Sequence, residues 1–566
     1  MKKITLAVFL LFFVLFHPFQ SIAEDRSNNK FGMHLAQPHL SEFGKVAELV
    51  NSNGGDWGYV TVVMQENDRN KQKWQEIFDI MRKFHLIPIV RLATKPEGDQ
   101  WRRPTKEDAG QWAEFLDSLN WVIKDRYVLL FNEPNHGQEW GGETNPEDYG
   151  IVAFEFGKKL KEKNLDFFPM LAGFDASAPS SNPNYEDEEM FLRRMFSIAQ
   201  MSEWEKILSG WSSHSYPNPA FSGSVWDTGR KSIKTYEWEL QLLKELGMKK
   251  NLPVFITETG WECRTLSRSV VANYFQQVFK YVWGPDTRVV AVTPFVFDYP
   301  AEPFLGFSWK SPDGGNFYPQ YFRVQELAKT SGDPEQLEAG RAGLSLPKEL
   351  VENSSFFFNL KLKNLGQGMW EKDEGYTLQL NGFTNGEYFF SDLKQVMPFQ
   401  ETEVQLHIKT NNAEKITRKD RVTLSLYRYG KKVIDFESKD LSVVALPTLE
   451  FWISLYPKQK VEGKGFEIQI FDSHENLIFK KSNLEVKNGF AQAGAIQNIA
   501  LGEKYRIVIL KDYYLPRQVL HTFTQGSNGV KFERMFPLDF NRDGALTWKD
   551  AGVLIQNLNL LFLFTP

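Results

Sequence analysis

Two glutamates stand where apolar runs give out: Val128-Leu129-Leu130-Phe131-Asn132-Glu133-Pro134 closes one run, and Val254-Phe255-Ile256-Thr257-Glu258-Thr259-Gly260-Trp261 closes another. A carboxylate at the end of a buried strand costs desolvation energy unless something compensates it, so two of them suggest use. Paired carboxyl groups can divide the work of breaking a glycosidic bond. One protonates the departing oxygen, and the other attacks or stabilises the anomeric carbon. For retention of configuration the two groups stand about 5–5.5 Å apart. The chain between the glutamates is long, so both strands must end at one common mouth. Arg91, at the end of another apolar run, is placed to pair with Glu258 and hold it ionised, or to serve as a salt bridge inside the fold.

The surrounding pattern supplies such a mouth. Short apolar runs alternate with longer amphipathic stretches at Phe31 to Leu35, Tyr59 to Met64, Ile87 to Leu92, Tyr127 to Phe131, Phe168 to Gly173, Gly210 to Ser215, Pro253 to Thr257 and Val289 to Phe297. Helical stretches run from Trp74 to Phe84, Lys106 to Ile123, Tyr149 to Lys163 and Tyr236 to Leu246. Strand and helix in alternation predict an α/β fold, a (β/α)₈ TIM barrel over residues 24–330, with its site at the carboxyl ends of the strands. An open doubly wound sheet is the rival, but no Gly-x-Gly-x-x-Gly follows the first run.

Asn132-Glu133-Pro134 after the fourth predicted strand, with Glu258 after the seventh, resembles clan A of the glycoside hydrolases. That resemblance implies a retaining double displacement, with Glu133 as general acid/base and Glu258 as nucleophile. It also implies that Asn132 bonds the sugar 2-hydroxyl, and that His214 or Tyr216, in Ser213-His214-Ser215-Tyr216-Pro217, orients Glu258. Many clan members carry a Trp at the end of the eighth strand. Here the segment reads Thr293-Pro294-Phe295-Val296-Phe297-Asp298, so Phe297, or the later Trp309, is expected to take that place. Trp140 and Trp261, just past the two glutamates, are expected either to stack on sugar rings or to pack within their loops.

The 566 residues carry 66 basic and 71 acidic side chains, a net charge of −5, which gives no electrostatic reason for a nucleic-acid partner. Met1-Lys2-Lys3, an apolar run and Ser21-Ile22-Ala23 read as a signal peptide over residues 1–23, so the mature chain is expected to be secreted or displayed at the cell surface. No later run is long enough to predict a transmembrane segment. The one cysteine, Cys263, has no intrachain partner. Gly, Pro and charge make residues 331–350 a predicted linker. Alternation of period two then predicts a β-sandwich over 351–446, where Lys363-Asn364-Leu365-Gly366-Gln367-Gly368-Met369-Trp370 resembles immunoglobulin-like modules, and a second β-domain over 447–535.

Residues 536–566 hold the sharper signal. Asp539, Asn541, Asp543 and Asp550 occupy positions one, three, five and twelve of a calcium loop. Gly544 is at six, Ala545 offers a carbonyl at seven, and Thr547 at nine often acts through a water. The loop is similar to one repeat of a dockerin. Dockerins carry two, so a calcium-stiffened end is the preferred expectation over a cohesin-type partner. The sequence thus leads to a secreted enzyme acting on a polysaccharide through Glu133 and Glu258. A transglycosylase using the same pair, and a non-catalytic polysaccharide-binding surface protein, are the alternatives.

Overall fold

The computed structural model describes residues 28–412 and 419–565; the predicted signal peptide lies outside them. The chain forms two compact units, one ending at Glu335 and the other beginning at Gln336.

The first unit contains eight parallel strands in chain order: β1 Gly32–Leu35, β2 Gly58–Gln65, β3 Leu86–Ala93, β4 Arg126–Leu130, β5 Phe167–Leu171, β6 Trp211–His214, β7 Val254–Glu258 and β8 Val289–Val292. β1 to β5 lie side by side in sequence order, and β8, β7 and β6 form a second sheet. Single parallel bridges, Phe31 to Val292 and Asp175 to His214, join the margins of these sheets. β1, β4 and β7 are buried throughout and β2 along all but its last residue, as expected of parallel strands covered on both faces. That burial explains why each is a near-continuous apolar run instead of an alternating one.

Helices between the strands start where the side chains can cap them. Asn70 accepts from the Lys73 N–H at the start of Lys71–Lys83, and Asn145 accepts from the Asp148 N–H at the start of Pro146–Lys163, which has Pro146 in its first turn. Trp74, Ile77, Phe78 and Met81 form the buried stripe of the first of these helices. The helix expected over 106–123 is shorter, Asp108–Asp117. Ser118 Oγ donates to the Phe115 carbonyl at its end, and Trp121, Val122 and Ile123 are buried beyond the last turn instead of continuing it.

The second unit is built from mainly antiparallel sheets, with Glu349–Val351 parallel to Lys431–Val444 and Thr448–Trp452 parallel to Ser527–Lys531. Gly340–Ala342, Ser355–Asn364, Glu401–Thr410 and Gly386–Phe390 make a four-stranded sheet, facing a five-stranded one centred on Lys419–Arg428 and Lys431–Val444. A three-stranded and a further four-stranded sheet follow. The segment expected as a linker divides at Glu335, and from Gln336 on it is part of this unit. Gly340–Ala342 pairs with Ser355–Asn364, Leu344 and Leu350 are fully buried, and a Cβ on Gly340 would lie 2.3 Å from the Trp370 ring. Glu349–Val351 also pairs with both Lys431–Val444 and Ala500–Leu501, so the stretches read as separate β-domains share a sheet and one buried cluster running from Leu344 to Leu563. The chain ends in a helix, Trp548–Gln556, opened by Thr547 and Asp550 as a capping box. Among the described residues no helix is long and apolar enough to cross a membrane.

Candidate active site

The carboxyl ends of the parallel strands bring Arg91 of β3, Asn132 and Glu133 just past β4, His214 at the end of β6 and Glu258 at the end of β7 into one place. One oxygen of Glu133, one of Glu258 and a ring nitrogen of His214 all lie within 4.8 Å of one another. Local backbone features set this up. Phe131 and Glu133 have φ of 73° and 27°, an uncommon region for side chains of their size, and the Glu133 N–H is fixed by the Gly173 carbonyl at 3.1 Å. A register shift between Ser213 and His214 sets His214 opposite Glu258. Gly173 is required beside it, because a Cβ there would come within 2.0 Å of the His214 ring.

Each glutamate has its own set of partners. Arg91 Nη1 donates to Glu258 Oε1 at 2.7 Å and to Asn132 Oδ1 at 2.6 Å. Tyr216 Oη donates to Glu258 Oε2 at 3.1 Å. His214 Nδ1 is 2.8 Å from Glu133 Oε1 and 3.8 Å from Glu258 Oε2. Burial alone would raise the Glu258 carboxyl, but the positive charge of His214 and Arg91 and the Tyr216 hydroxyl hold it below the ordinary range. His214 itself is raised, since the charges of Glu258 and Glu133 outweigh its burial. Tyr216 is pushed far up by burial and by both carboxylates, and stays a neutral donor. The three clustered groups have the spacing of a cation site. However, Arg91 and Tyr216 already bond Glu258, and His214 already bonds Glu133, so the arrangement suits proton transfer.

Of the side chains singled out in the sequence, Arg91, Asn132, Glu133, His214, Tyr216 and Glu258 therefore meet. His214 lies closer to Glu133 than to Glu258, so orienting Glu258 falls to Tyr216 and Arg91. For Trp140 and Trp261 the geometry favours loop packing over stacking on a sugar, and neither Phe297 nor Trp309 is open to one. Trp140 is fully buried, edge-on to Phe131 and Tyr149, with its N–H given to Asp148. Trp261 packs on Tyr274 and Phe275 and donates to the Gly223 carbonyl. Phe297 is buried against Phe317, and Trp309 is buried too. None has a free face for a sugar. Phe295 instead packs edge-on to His34, in a small cluster that Tyr216, Phe221 and Phe307 complete.

Other site residues carried no motif. His34 of β1 sits 3.5 Å from Glu258 Oε1, fully buried with neither ring nitrogen hydrogen-bonded, and desolvation lowers its pKa to about 3, so it is neutral. Burial lifts the Glu139 carboxyl to about 7, with the Glu133 charge adding to the effect and Arg91 opposing it. His136, three residues after Glu133, bonds Asp175 at 2.9 Å.

The tail loop has a distinct geometry. Asp539 Oδ2 accepts from the Gly544 N–H at 3.1 Å, while Asp539 Oδ1 is buried without a partner. Asn541 Oδ1 accepts from the Asp543 N–H and Asp543 Oδ1 from the Ala545 N–H, each at 3.0 Å. Asp550 accepts from the Asn541 and Thr547 N–H groups and from the Thr547 hydroxyl. Gly544, at the sharp turn, has φ of 82°. Burial and the neighbouring Asp550 and Asp543 push the Asp539 carboxyl up. Asp539 and Asp550 are buried and Asp543 is exposed, and among the described residues these three acids are not drawn within 4.8 Å of one another as Glu133, His214 and Glu258 are.

No protein-family model matches the chain, and no curated protein matches it. Solved structures similar to it include an endo-β-1,4-glucanase of Xanthomonas axonopodis pv. citri, at 14% identity over 53% of this chain and 99% of that one, with a TM-score of 0.38. A family 51 α-L-arabinofuranosidase of Bifidobacterium longum is 9% identical over 68% of this chain and 94% of its own, with a TM-score of 0.35. A Paenibacillus polymyxa xyloglucanase of glycoside hydrolase family 44 is 9% identical over 68% and 97%, with a TM-score of 0.33. At these values the chemistry rests on the geometry above.

Proposed function

We propose that this protein is a secreted glycoside hydrolase that cleaves a β-linked polysaccharide or oligosaccharide with retention, from a site at the mouth of a (β/α)₈ barrel. The eight parallel strands and the two bridges that join their sheets support the barrel. The observation that carries the function is the facing pair: Glu133 and Glu258 with oxygens within 4.8 Å, each held by different partners. Such closeness suits direct attack on the anomeric carbon, because the wider separation of inverting enzymes leaves room for a water.

Glu258, kept ionised by His214, Arg91 and Tyr216, attacks the anomeric carbon. As the glycosidic C–O bond breaks, Glu133 gives its proton to the departing oxygen. Glu133, now a carboxylate, then takes a proton from a water that attacks the same carbon and releases Glu258. Asn132, anchored by Arg91, presents its amide to the sugar hydroxyl beside the reacting carbon. In the tail, Asp539, Asn541, Asp543, the Ala545 carbonyl, Thr547 and Asp550 are read as a calcium site that stiffens the end of the second unit.

The test is a screen of β-linked polysaccharides by product release, with proton NMR of the first-formed anomer. Product of the substrate's own configuration is expected. An inverted first product, or equal activity in Glu258→Gln, overturns the double displacement.

A further inference from the structure

We propose that His136, clamped by Asp175, is a positioning residue that sets the protonation of Glu133 on the leaving-group side of the site; this rests on reading Glu133 as the acid/base. His214 occupies Glu133 Oε1 at 2.8 Å, which leaves Oε2 as the oxygen free to meet a departing group. His136 Nδ1 lies 3.9 Å from that oxygen, and its other ring nitrogen, Nε2, is 2.9 Å from Asp175 Oδ2. An ionised carboxylate can only accept, so Asp175 fixes the tautomer. Nε2 carries a proton, and Nδ1, bare or protonated, is turned toward Glu133.

The clamp is itself held. The Ser177 N–H donates to Asp175 Oδ1 at 2.7 Å, the Asp175 N–H donates to Asn135 Oδ1 at 3.2 Å, and Asn135 Nδ2 returns to the Asp175 carbonyl at 2.9 Å. The His136 N–H bonds the Glu133 carbonyl at 2.8 Å, and the Tyr185 ring stands edge-on to the imidazole at 4.9 Å. The charged groups facing the imidazole are Glu133, Asp175 and Glu139, all acidic. Burial works against its charge, but these three outweigh it and raise its pKa.

The consequence is a reciprocal pair. A protonated His136 favours the ionised form of Glu133, which suits the water-activating step. Losing that charge favours the protonated acid, which suits the bond-breaking step. Neither step consumes a proton on His136, so its role is to position and bias.

The experiment follows the imidazole signals of the full chain by NMR across pH, in the wild type, Glu133→Gln and Asp175→Asn, with His136→Gln used to assign the signal. An opposite charge at this range shifts a pKa by about one unit or more. The His136 pKa is therefore expected to fall by about one unit in Glu133→Gln and to fall also in Asp175→Asn. In parallel, the alkaline limb of kcat/KM for a substrate with a poor leaving group is expected to move upward in His136→Gln, while a substrate with an activated leaving group is little affected. An unmoved His136 titration in a folded Glu133→Gln protein, or a His136→Gln profile that only loses height, overturns the proposal. An absence of glycosidase activity in the wild type would instead fall on the proposed function, since the titration reads the coupling without turnover.

Discussion

The strand ends of the first unit and the terminal loop of the second both bury carboxylates, Glu258 in one and Asp539 and Asp550 in the other, and they compensate that cost in opposite ways. Around Glu133 and Glu258 the cations belong to the chain: Arg91 and His214 hold the negative charge, with Tyr216 as a neutral donor. Around Asp539, Asp543 and Asp550 the donors are neutral, backbone N–H groups with the Thr547 hydroxyl and the Asn541 amide, and one buried oxygen of Asp539 has no partner among the described residues. The first arrangement is complete as folded and ready for proton chemistry. The second, on the proposed reading, is a set of acids that a cation from solution would complete.

The sharpest break in this comparison comes from removing the acids. Glu258→Gln is expected to abolish product release while preserving the fold, because an amide keeps the shape, its oxygen still accepts from Arg91 and its NH2 can donate to the Tyr216 hydroxyl oxygen. Glu133→Ala is expected to slow substrates with poor leaving groups by about 10²–10⁴-fold, the usual range for a lost general acid, and activated ones far less. Equal slowing of both substrate types would remove Glu133 from proton donation. Removing the built-in cation is the next largest effect. Arg91→Met leaves the buried Glu258 carboxylate without its guanidinium, and breaking a buried pair in this way costs about 3–5 kcal/mol. Chemical denaturation of the first unit reads that loss, and an unchanged midpoint would mean that His214 and Tyr216 suffice.

At the tail the expected behaviour is reversed, because stability there responds to the solution. Calcium at a hundredfold excess over its dissociation constant should stabilise the second unit by about 2.7 kcal/mol, and chelation should lower its melting while sparing the first unit. Asp539→Asn should lose the calcium response. A melt insensitive to calcium in the wild type would count against the loop as a cation site.

The two regions also differed in how far they could be read from residues alone. Loop spacing and a glycine at the sharp turn are local signals, so the turn at Gly544 and the capping of the last helix by Thr547 and Asp550 follow from adjacent residues. The strands were legible as well, because parallel strands buried on both faces are continuous apolar runs. Which side chains near the glutamates face the site was not. Trp261 follows Glu258 as closely as His136 follows Glu133, and Trp140 comes only four residues after His136, yet packing removes both tryptophans and admits the histidine. Phe295 and Phe297 look alike in the chain, and only tertiary contacts separate them. His34 and Asp175 lie on other strands or loops and carry no motif. Within residues 331–350 the division between the units falls after Glu335, while Gly, Pro and charge obscured Leu344, Leu346 and Leu350, whose even spacing marks an inward face.

The smallest effect concerns a third solution to the same cost, a buried acid pair that keeps a proton. Glu188 and Glu239 are fully buried in the first unit, where Trp211 Nε1 donates to Glu239 Oε2 at 2.8 Å. Burial, then the charge of Glu239, pushes Glu188 far above the ordinary range, and burial raises Glu239 as well. A carboxyl raised on folding contributes stability that is full below its unfolded pKa and lost as pH rises through the folded one. Glu258, lowered on folding, does the reverse: its contribution is present above the unfolded value and is lost as pH falls through the folded one. The first unit should thus weaken at both ends of the range, each for its own reason. Glu188→Gln keeps the shape and removes one ionisable group, so it should flatten the alkaline decline of the denaturation midpoint and leave the acid decline unchanged. An alkaline decline that persists in this variant would assign it to groups outside the pair.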